Sequence, residues 1–260
     1  MITELAPAQH EHLRPLFADF GPRLHGCIEA VFSGDFGTAW ADQPIAPAVA
    51  LAQVDFWFVA GDPRLPEASE ALRMVPEGGT IVTAGGAWDR LVRQALGTNA
   101  RRSTRTAMST PPTDAWDRAG LRAIAASLPD GHSIRRATAA DIDSFVALER
   151  DLVVNFASSQ RFLERGLGFG VWFDGRYVAG CSSYTLANGK LEMEIDTHPE
   201  FRRRGLARAV GAAMILHCLD QDIEPCWDAY NRRSVGLALQ LGFLSPEPYA
   251  VFRVRSSVTK

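Results

Sequence analysis

The sequence predicts an α/β protein built on a mixed sheet flanked by helices, in two consecutive domains. Three observations predict it. From Ser133 onward the periodicity of apolar residues switches between strand and helix in the order β-α-α-β-β-β-α-β-α-β, which combines hairpins with a βαβ crossover. The N-terminal half repeats that order apart from its first strand. A length of 260 residues suits two domains of ordinary size.

The elements follow in order. Helical patterns over Pro7–Phe20 and Pro22–Phe32 precede strands at Gly37–Ala41, Ala48–Gln53 and Asp55–Ala60. A helix at Pro66–Met74, a strand at Thr80–Thr83, a helix at Trp88–Leu96 and an alternating run at Arg102–Met108 complete the first half. The stretch Ser109–Asp114, the helix Ala115–Ser127 and the turn Pro129-Asp130-Gly131 read as the connection between halves, giving domains at 1–130 and 131–260.

In the second half, Ser133–Ala137 is a strand, and Thr138 with Asp141 fits a capping box that opens a helix to about Arg150. A further helical stretch lies within Val153–Arg165, followed by strands at Gly168–Phe173, Tyr177–Leu186 and Lys190–Thr197. Asn188-Gly189 between the last two is the strongest short-range hairpin signal. A long helix from about Gly205 to Asp220, a strand Pro225–Asp228, a helix Arg232–Leu241 ended by Gly242 and a strand Tyr249–Val254 close the chain.

Composition narrows the function. Hydrophobic residues make up 47% and charged residues 22%, the balance of a soluble globular protein, and the net charge of −3 offers no general attraction to nucleic acid or to an anionic membrane. The apolar runs Ala46–Ala60 and Val210–Leu219 are interrupted and too short to span a bilayer, and the first residues lack the basic-then-apolar order of a signal peptide. A cytoplasmic location is the default expectation, with neither nucleic acid nor membrane as partner. Cys27, Cys181, Cys218 and Cys226 form no C-x-x-C pair and read as buried free thiols, with no metal site. His10 and His12 read as exposed. Arg101, Arg102 and Arg105 alternate with Ser103, Thr104 and Thr106 as in an exposed strand, not as in a nucleic-acid contact.

The segment EMEIDTHPEFRRRGLARAVGAA, Glu192 to Ala213, carries the chemistry. Three arginines lead into Gly205 and Ala207 where a helix begins. A helix N-terminus leaves N–H groups unpaired and about half a positive charge, so phosphate oxygens are natural ligands there. Gly205 lets the backbone approach such a ligand closely. The corresponding turn of the first half, Gly61-Asp62-Pro63-Arg64-Leu65-Pro66, has an acidic residue and two prolines without N–H, and is a poor phosphate cradle. The first half is therefore expected to be a degenerate copy without a cofactor site; an unrelated α/β domain is the alternative.

The block Arg202-Arg203-Arg204-Gly205-Leu206-Ala207, preceded by Thr197-His198-Pro199-Glu200-Phe201, resembles the R/Q-x-x-G-x-G/A motif of the GNAT superfamily of acyl-CoA-dependent N-acetyltransferases. Asn231, Ser234 and Gly242-Phe243 stand at the spacing of a second family motif. The resemblance covers the chain from about Gly131. A subgroup that includes the zwittermicin-resistance acetyltransferase is similar also in Pro225-Cys226-Trp227-Asp228-Ala229-Tyr230-Asn231 and in having an extra N-terminal half.

The resemblance implies acetyl-CoA as acyl donor, with Arg202, Arg203, Arg204, Gly205, Leu206 and Ala207 at its pyrophosphate, Ile195 and Thr197 along its pantetheine arm, and Asn231 and Ser234 at the cofactor cleft. It implies acetyl transfer to a primary amine of a small molecule by direct attack in a ternary complex. Such transfer needs a base, and Glu192, Glu194 and Asp196 share one strand face opposite Leu191, Met193 and Ile195. Family members commonly place a glutamate on this strand as base, and Glu192 or Glu194 fills that place. Many also carry a tyrosine seven residues after the asparagine, as general acid. Here that position is Ala238, leaving Tyr230, Ser234 or water for the role, or an unassisted thiolate. A catalytically inactive CoA-binding regulatory module is the alternative function. The oligomeric state is open and a homodimer compatible with it.

Overall fold

The computed structural model describes residues 1–255 and divides into two compact units. One comprises Met1–Ala107 together with the chain from Glu247 onward; the other comprises Met108–Pro246. This division differs from the boundary expected at residue 130. The connecting helix packs with the second unit, while the last strand belongs to the sheet of the first.

The first unit contains β1 (Thr3–Glu4), a 3-10 helix (Pro7–Phe20), α1 (His25–Phe32), β2 (Thr38–Ala41), β3 (Val49–Gln53), β4 (Phe56–Gly61), α2 (Pro66–Met74), β5 (Thr80–Thr83), α3 (Ala87–Leu96) and most of β6 (Ala100–Ser109). The second contains α4 (Arg118–Ala126), β7 (Ser133–Arg136), α5 (Ile142–Leu148), α6 (Ser159–Arg165), β8 (Gly168–Phe173), β9 (Arg176–Ala187), β10 (Lys190–Thr197), α7 (Leu206–Asp220), β11 (Glu224–Ala229) and α8 (Arg232–Leu241). Strand β12 (Leu244–Val254) starts in the second unit and ends in the first.

The two units share one topology. In the first, β1/β2, β2/β3 and β3/β4 are antiparallel and β4/β5 parallel. In the second, β7/β8, β8/β9 and β9/β10 are antiparallel and β10/β11 parallel. Helical segments separate the first strand from the meander in each, the 3-10 helix and α1 in the first unit and α5, a 3-10 turn at Arg150–Val153 and α6 in the second, and one helix makes the parallel crossover. The repeat anticipated from element order is thus present, including β1, the first strand that the sequence pattern did not reveal. Two residues are too short a run for periodicity to register.

The hairpins form as the turn residues require. Asn188 and Gly189 have φ of 48° and 70°, and Asp174 and Gly175 have 45° and 79°, the left-handed pairs that match strand twist. Helix α8 starts at Asn231, whose Oδ1 accepts the N–H groups of Arg233 and Ser234 at 2.9 and 3.1 Å, and stops at Gly242 with φ 107°.

Other elements also differ from expectation, and β12, expected from Tyr249, starts at Leu244. Pro7–Phe20 is 3-10 helical, and Pro15 inside it lacks an N–H and would obstruct the i−4 carbonyl of an α-helix. Asp141 does accept the N–H of Thr138 at 2.7 Å, yet α5 begins only at Ile142, so the bonded turn precedes the helix instead of opening it. His10 is buried, with Nδ1 2.8 Å from the carbonyl of Val31; His12 is exposed. All four cysteines are free and buried, and burial pushes the Cys218 thiol up to about 12.

The core of the first unit depends on β12. Val251, Phe252 and Arg253 pair antiparallel with Val82, Ile81 and Thr80, and Phe252 is 1% exposed among Val49, Leu51, Leu72, Ile81 and Val92. A chain ending at Pro246 should therefore leave the first unit unfolded, read as rapid proteolysis of residues 1–107; a protease-resistant fragment would show β12 to be dispensable. The milder Phe252→Ala should cost about 3–5 kcal/mol in urea unfolding.

Candidate active site

The second unit's parallel pair is short. Lys190, Leu191 and Glu192 pair with Glu224, Pro225 and Cys226, and there the ladder ends, although β10 stays paired with β9 as far as Thr197. Beyond Glu192 no pairing joins the two strands, which leaves one backbone edge of β10 without a ladder on the side toward β11. In the first unit the equivalent pair runs from Phe56↔Thr80 to Val59↔Thr83, the whole length of β5.

At the open end, β10 leads through Pro199–Phe201 and three exposed arginines into α7. Arg203 and Gly205 have φ of 63° and 79°, an alternation that turns successive N–H groups toward one side. Gly205 is the N-cap and offers no side chain to the first N–H groups of the helix, whose first turn carries no acidic residue. A Cβ at Gly205 would meet nothing within 4 Å, so the approach to these N–H groups is open. In the first unit the same turn is filled by its own chain: Asp62 accepts the backbone N–H of Arg64 at 2.9 Å and its Nη2 at 2.7 Å. Those bonds hold the Asp62 carboxyl down at about 2, ionised at neutral pH.

The arginines are not equivalent. Nε of Arg202 donates to the carbonyl of Thr197 at 2.9 Å, and its Nη2 lies 3.7 Å from Asp196. Arg204 donates to the carbonyl of Glu200 at 3.0 Å and lies over the Phe201 ring at 4.9 Å. The Thr197 N–H donates to Asp196 Oδ1 at 2.7 Å, so both backbone groups of Thr197 already have partners within the chain. Ile195 points to the α7 face, where a Cβ on Gly211 would come within 3.2 Å of its Cδ1.

The alternation read from β10 is realised. Leu191, Met193 and Ile195 pack with the core under α7, and Glu192, Glu194 and Asp196 occupy the other face. Glu192 is 2% exposed; Glu194 and Asp196 are half-buried. Burial first, and then the charge of Glu192 nearby, pushes the Cys226 thiol well above the usual range.

At the end of β11, Tyr230 is 71% exposed and Asp228 half-buried. Trp227 is core, its Nε1 donating to Ser234 Oγ at 3.1 Å and its ring 5.5 Å from Phe243. Ser234 and Asn231 thus have structural duties in holding β11 to α8. Ala238 is fully buried in the same core. Among the described residues no group of three His, Cys, Asp or Glu is placed to hold a metal ion. A cavity of about 620 Å³, lined by Trp116, Lys190, Leu219 and Glu224 among others, lies at the opposite ends of β10 and β11 and is separate from this arrangement.

The GNAT acetyltransferase profile matches residues 14–252, both units included. The chain belongs to this family. It is 27% identical over 176 residues to the uncharacterized N-acetyltransferase YdfB of Bacillus subtilis (strain 168), a match covering 66% of this chain and 65% of that protein's length. The structure of a GCN5-related N-acetyltransferase-like protein from Streptococcus suis 89/1591 is similar with a TM-score of 0.81 and 30% identity, over 96% of this chain and 100% of that one. A tandem GNAT protein from the clavulanic acid biosynthesis pathway shares the fold at a TM-score of 0.63 and 18% identity, over 97% and 96% of the two chains. No helix among the described residues is long and apolar enough to cross a membrane.

The signals missed in the sequence lie in Cys181-Ser182-Ser183-Tyr184-Thr185. All of these residues are buried, and polar side chains inside a central strand are the mark that could have drawn notice. The geometry of Asn231 makes a direct test possible: Asn231→Ala should lower stability by about 1 kcal/mol in urea unfolding, through loss of the cap.

Proposed function

We propose that the second unit of this GNAT acetyltransferase transfers an acetyl group from acetyl-CoA to a primary amine of a small molecule. The observation that carries the reading is the parting of β10 and β11 beside the uncapped N-terminus of α7. An unpaired strand edge offers alternating N–H and C=O groups to an amide-bearing chain, and the helix end offers N–H groups and positive charge to phosphates. The pantetheine arm has amides and the CoA pyrophosphate has the anionic oxygens. Backbone groups of Ile195, and of Thr197 once the Asp196 carboxylate turns away from its N–H, would bind the first, and those of Arg203 to Ala207 the second.

The transfer itself needs a neutral amine. A primary ammonium near pH 7 gives one proton to a carboxylate, a role that Glu192 or Glu194 would fill. The freed lone pair attacks the thioester carbonyl, the C–N bond forms, and the C–S bond breaks with the electron pair leaving on sulfur. The nitrogen's second proton passes to the thiolate, giving amide and free CoA thiol. Tyr230, exposed just past the end of β11, would aid that last proton transfer, with water as its substitute.

Thioester consumption with a panel of primary amines tests the reading. Binding of CoA without turnover of any amine would favour a CoA-binding module instead. With a productive amine, Glu192→Gln together with Glu194→Gln should lower kcat by about 10²–10⁴-fold and flatten its pH dependence, with CoA affinity nearly unchanged. Unaltered turnover would remove the pair as the base.

A further inference from the structure

Strand β9 buries three hydroxyl side chains, Ser182, Ser183 and Thr185, all fully. A hydroxyl removed from water costs stability unless it finds a hydrogen-bond partner. Ser183 has one: its Oγ accepts the N–H of Leu167 at 2.8 Å. Ser182 Oγ and Thr185 Oγ1 are buried without any partner.

The ladder places these two hydroxyls against the two candidate bases. Thr185 is the register partner of Glu192, and Ser182 that of Glu194. Residues three apart on an unbroken strand point to opposite faces. Here the register shifts between Glu192 and Met193, leaving Tyr184 as an extra residue of β9, and the shift returns Thr185 to the face of Ser182. Each glutamate therefore has a hydroxyl residue directly across the ladder, with side chains starting about 5 Å apart. The same face carries Gly168 opposite Ser182, and a Cβ on Gly168 would lie 3.0 Å from the rings of Phe145 and Phe162. Apolar packing thus roofs one side of the row, and the carboxylates border the other.

We propose that Ser182 and Thr185 are positioning residues of the acceptor site, whose unused hydroxyls accept the N–H groups of the bound amine. This rests on the acetyl-transfer reading above. A primary ammonium has three N–H bonds: two held by neutral hydroxyls leave the third for the carboxylate and aim the resulting lone pair in one direction. A secondary ammonium has only two and leaves one hydroxyl unmet. The arrangement therefore selects primary over secondary amines.

The test compares Ser182→Ala and the isosteric Thr185→Val with Ser183→Ala. In the free protein the first two should keep or raise Tm, because each deletes an unbonded buried hydroxyl, whereas Ser183→Ala should lower it. With an amine the wild type acetylates, Ser182→Ala and Thr185→Val should each raise the amine KM about tenfold, as expected for one lost hydrogen bond. The KM for acetyl-CoA should stay constant, the preference for primary over secondary amines should narrow, and Thr185→Ser should restore both amine KM and preference. Lowered Tm together with unchanged amine kinetics would overturn the proposal and make the hydroxyls structural. Unchanged amine KM and preference in an active protein would overturn it alone, whatever the Tm. A wild type that turns over no amine would overturn the acetyl-transfer reading and this proposal with it.

Discussion

The second unit's site depends on the three-residue length of the parallel pairing between β10 and β11. A parallel ladder satisfies the backbone groups on both facing edges, and where it ends, those groups must find other partners or water. Because β10 continues to Thr197 with only β9 beside it, its other edge faces the gap left by β11. The crossover helix α7 starts at the same end, so an unpaired strand edge and an unpaired helix terminus come together. Neither feature would be a site alone. Together, on the proposed reading, they give an amide-bearing chain and a phosphate their backbone partners.

The first unit shows what happens when the same topology closes. Its parallel pair runs the full length of β5, and its crossover turn is occupied by the carboxylate of Asp62 bonded to Arg64. Pro66 at the first position of α2 removes a further N–H. With β5 paired along its whole length, the Gly61 carbonyl taken by the Trp88 indole and the turn filled by Asp62, this copy retains the scaffold without the open turn on which the other unit's reading rests. The repeat is also incomplete in sequence order, since the C-terminal strand of the chain supplies Phe252 to the first unit's core.

Much of this was legible residue by residue. Asn188-Gly189 and Asp174-Gly175 demand left-handed turns, Gly242 ends a helix, and Leu191, Met193 and Ile195 alternate with carboxylates, all local rules that tertiary packing leaves intact. Pro7–Phe20 was legible as helical but not as 3-10, because the choice depends on how the segment accommodates Pro15. The burial of His10 rests on a carbonyl 21 residues away, beyond the reach of any window. The motif residues around Gly205 and Asn231 stood out by spacing. The duties of Asn231 and Ser234, one capping α8 and the other holding the Trp227 indole, emerge only when helix and strand are packed together.

The sequence by itself determined the elements, their turns, the repeat and the resemblance to an acetyltransferase family, because these follow from local periodicity, turn chemistry and short motifs. Tertiary structure alone decided where β10 and β11 part, which hydroxyls face the glutamates, and which unit receives the last strand. These are matters of register and pairing between distant segments. A shift of one residue in a ladder reverses the face of every side chain beyond it, and such a shift leaves no trace in the order of amino acids.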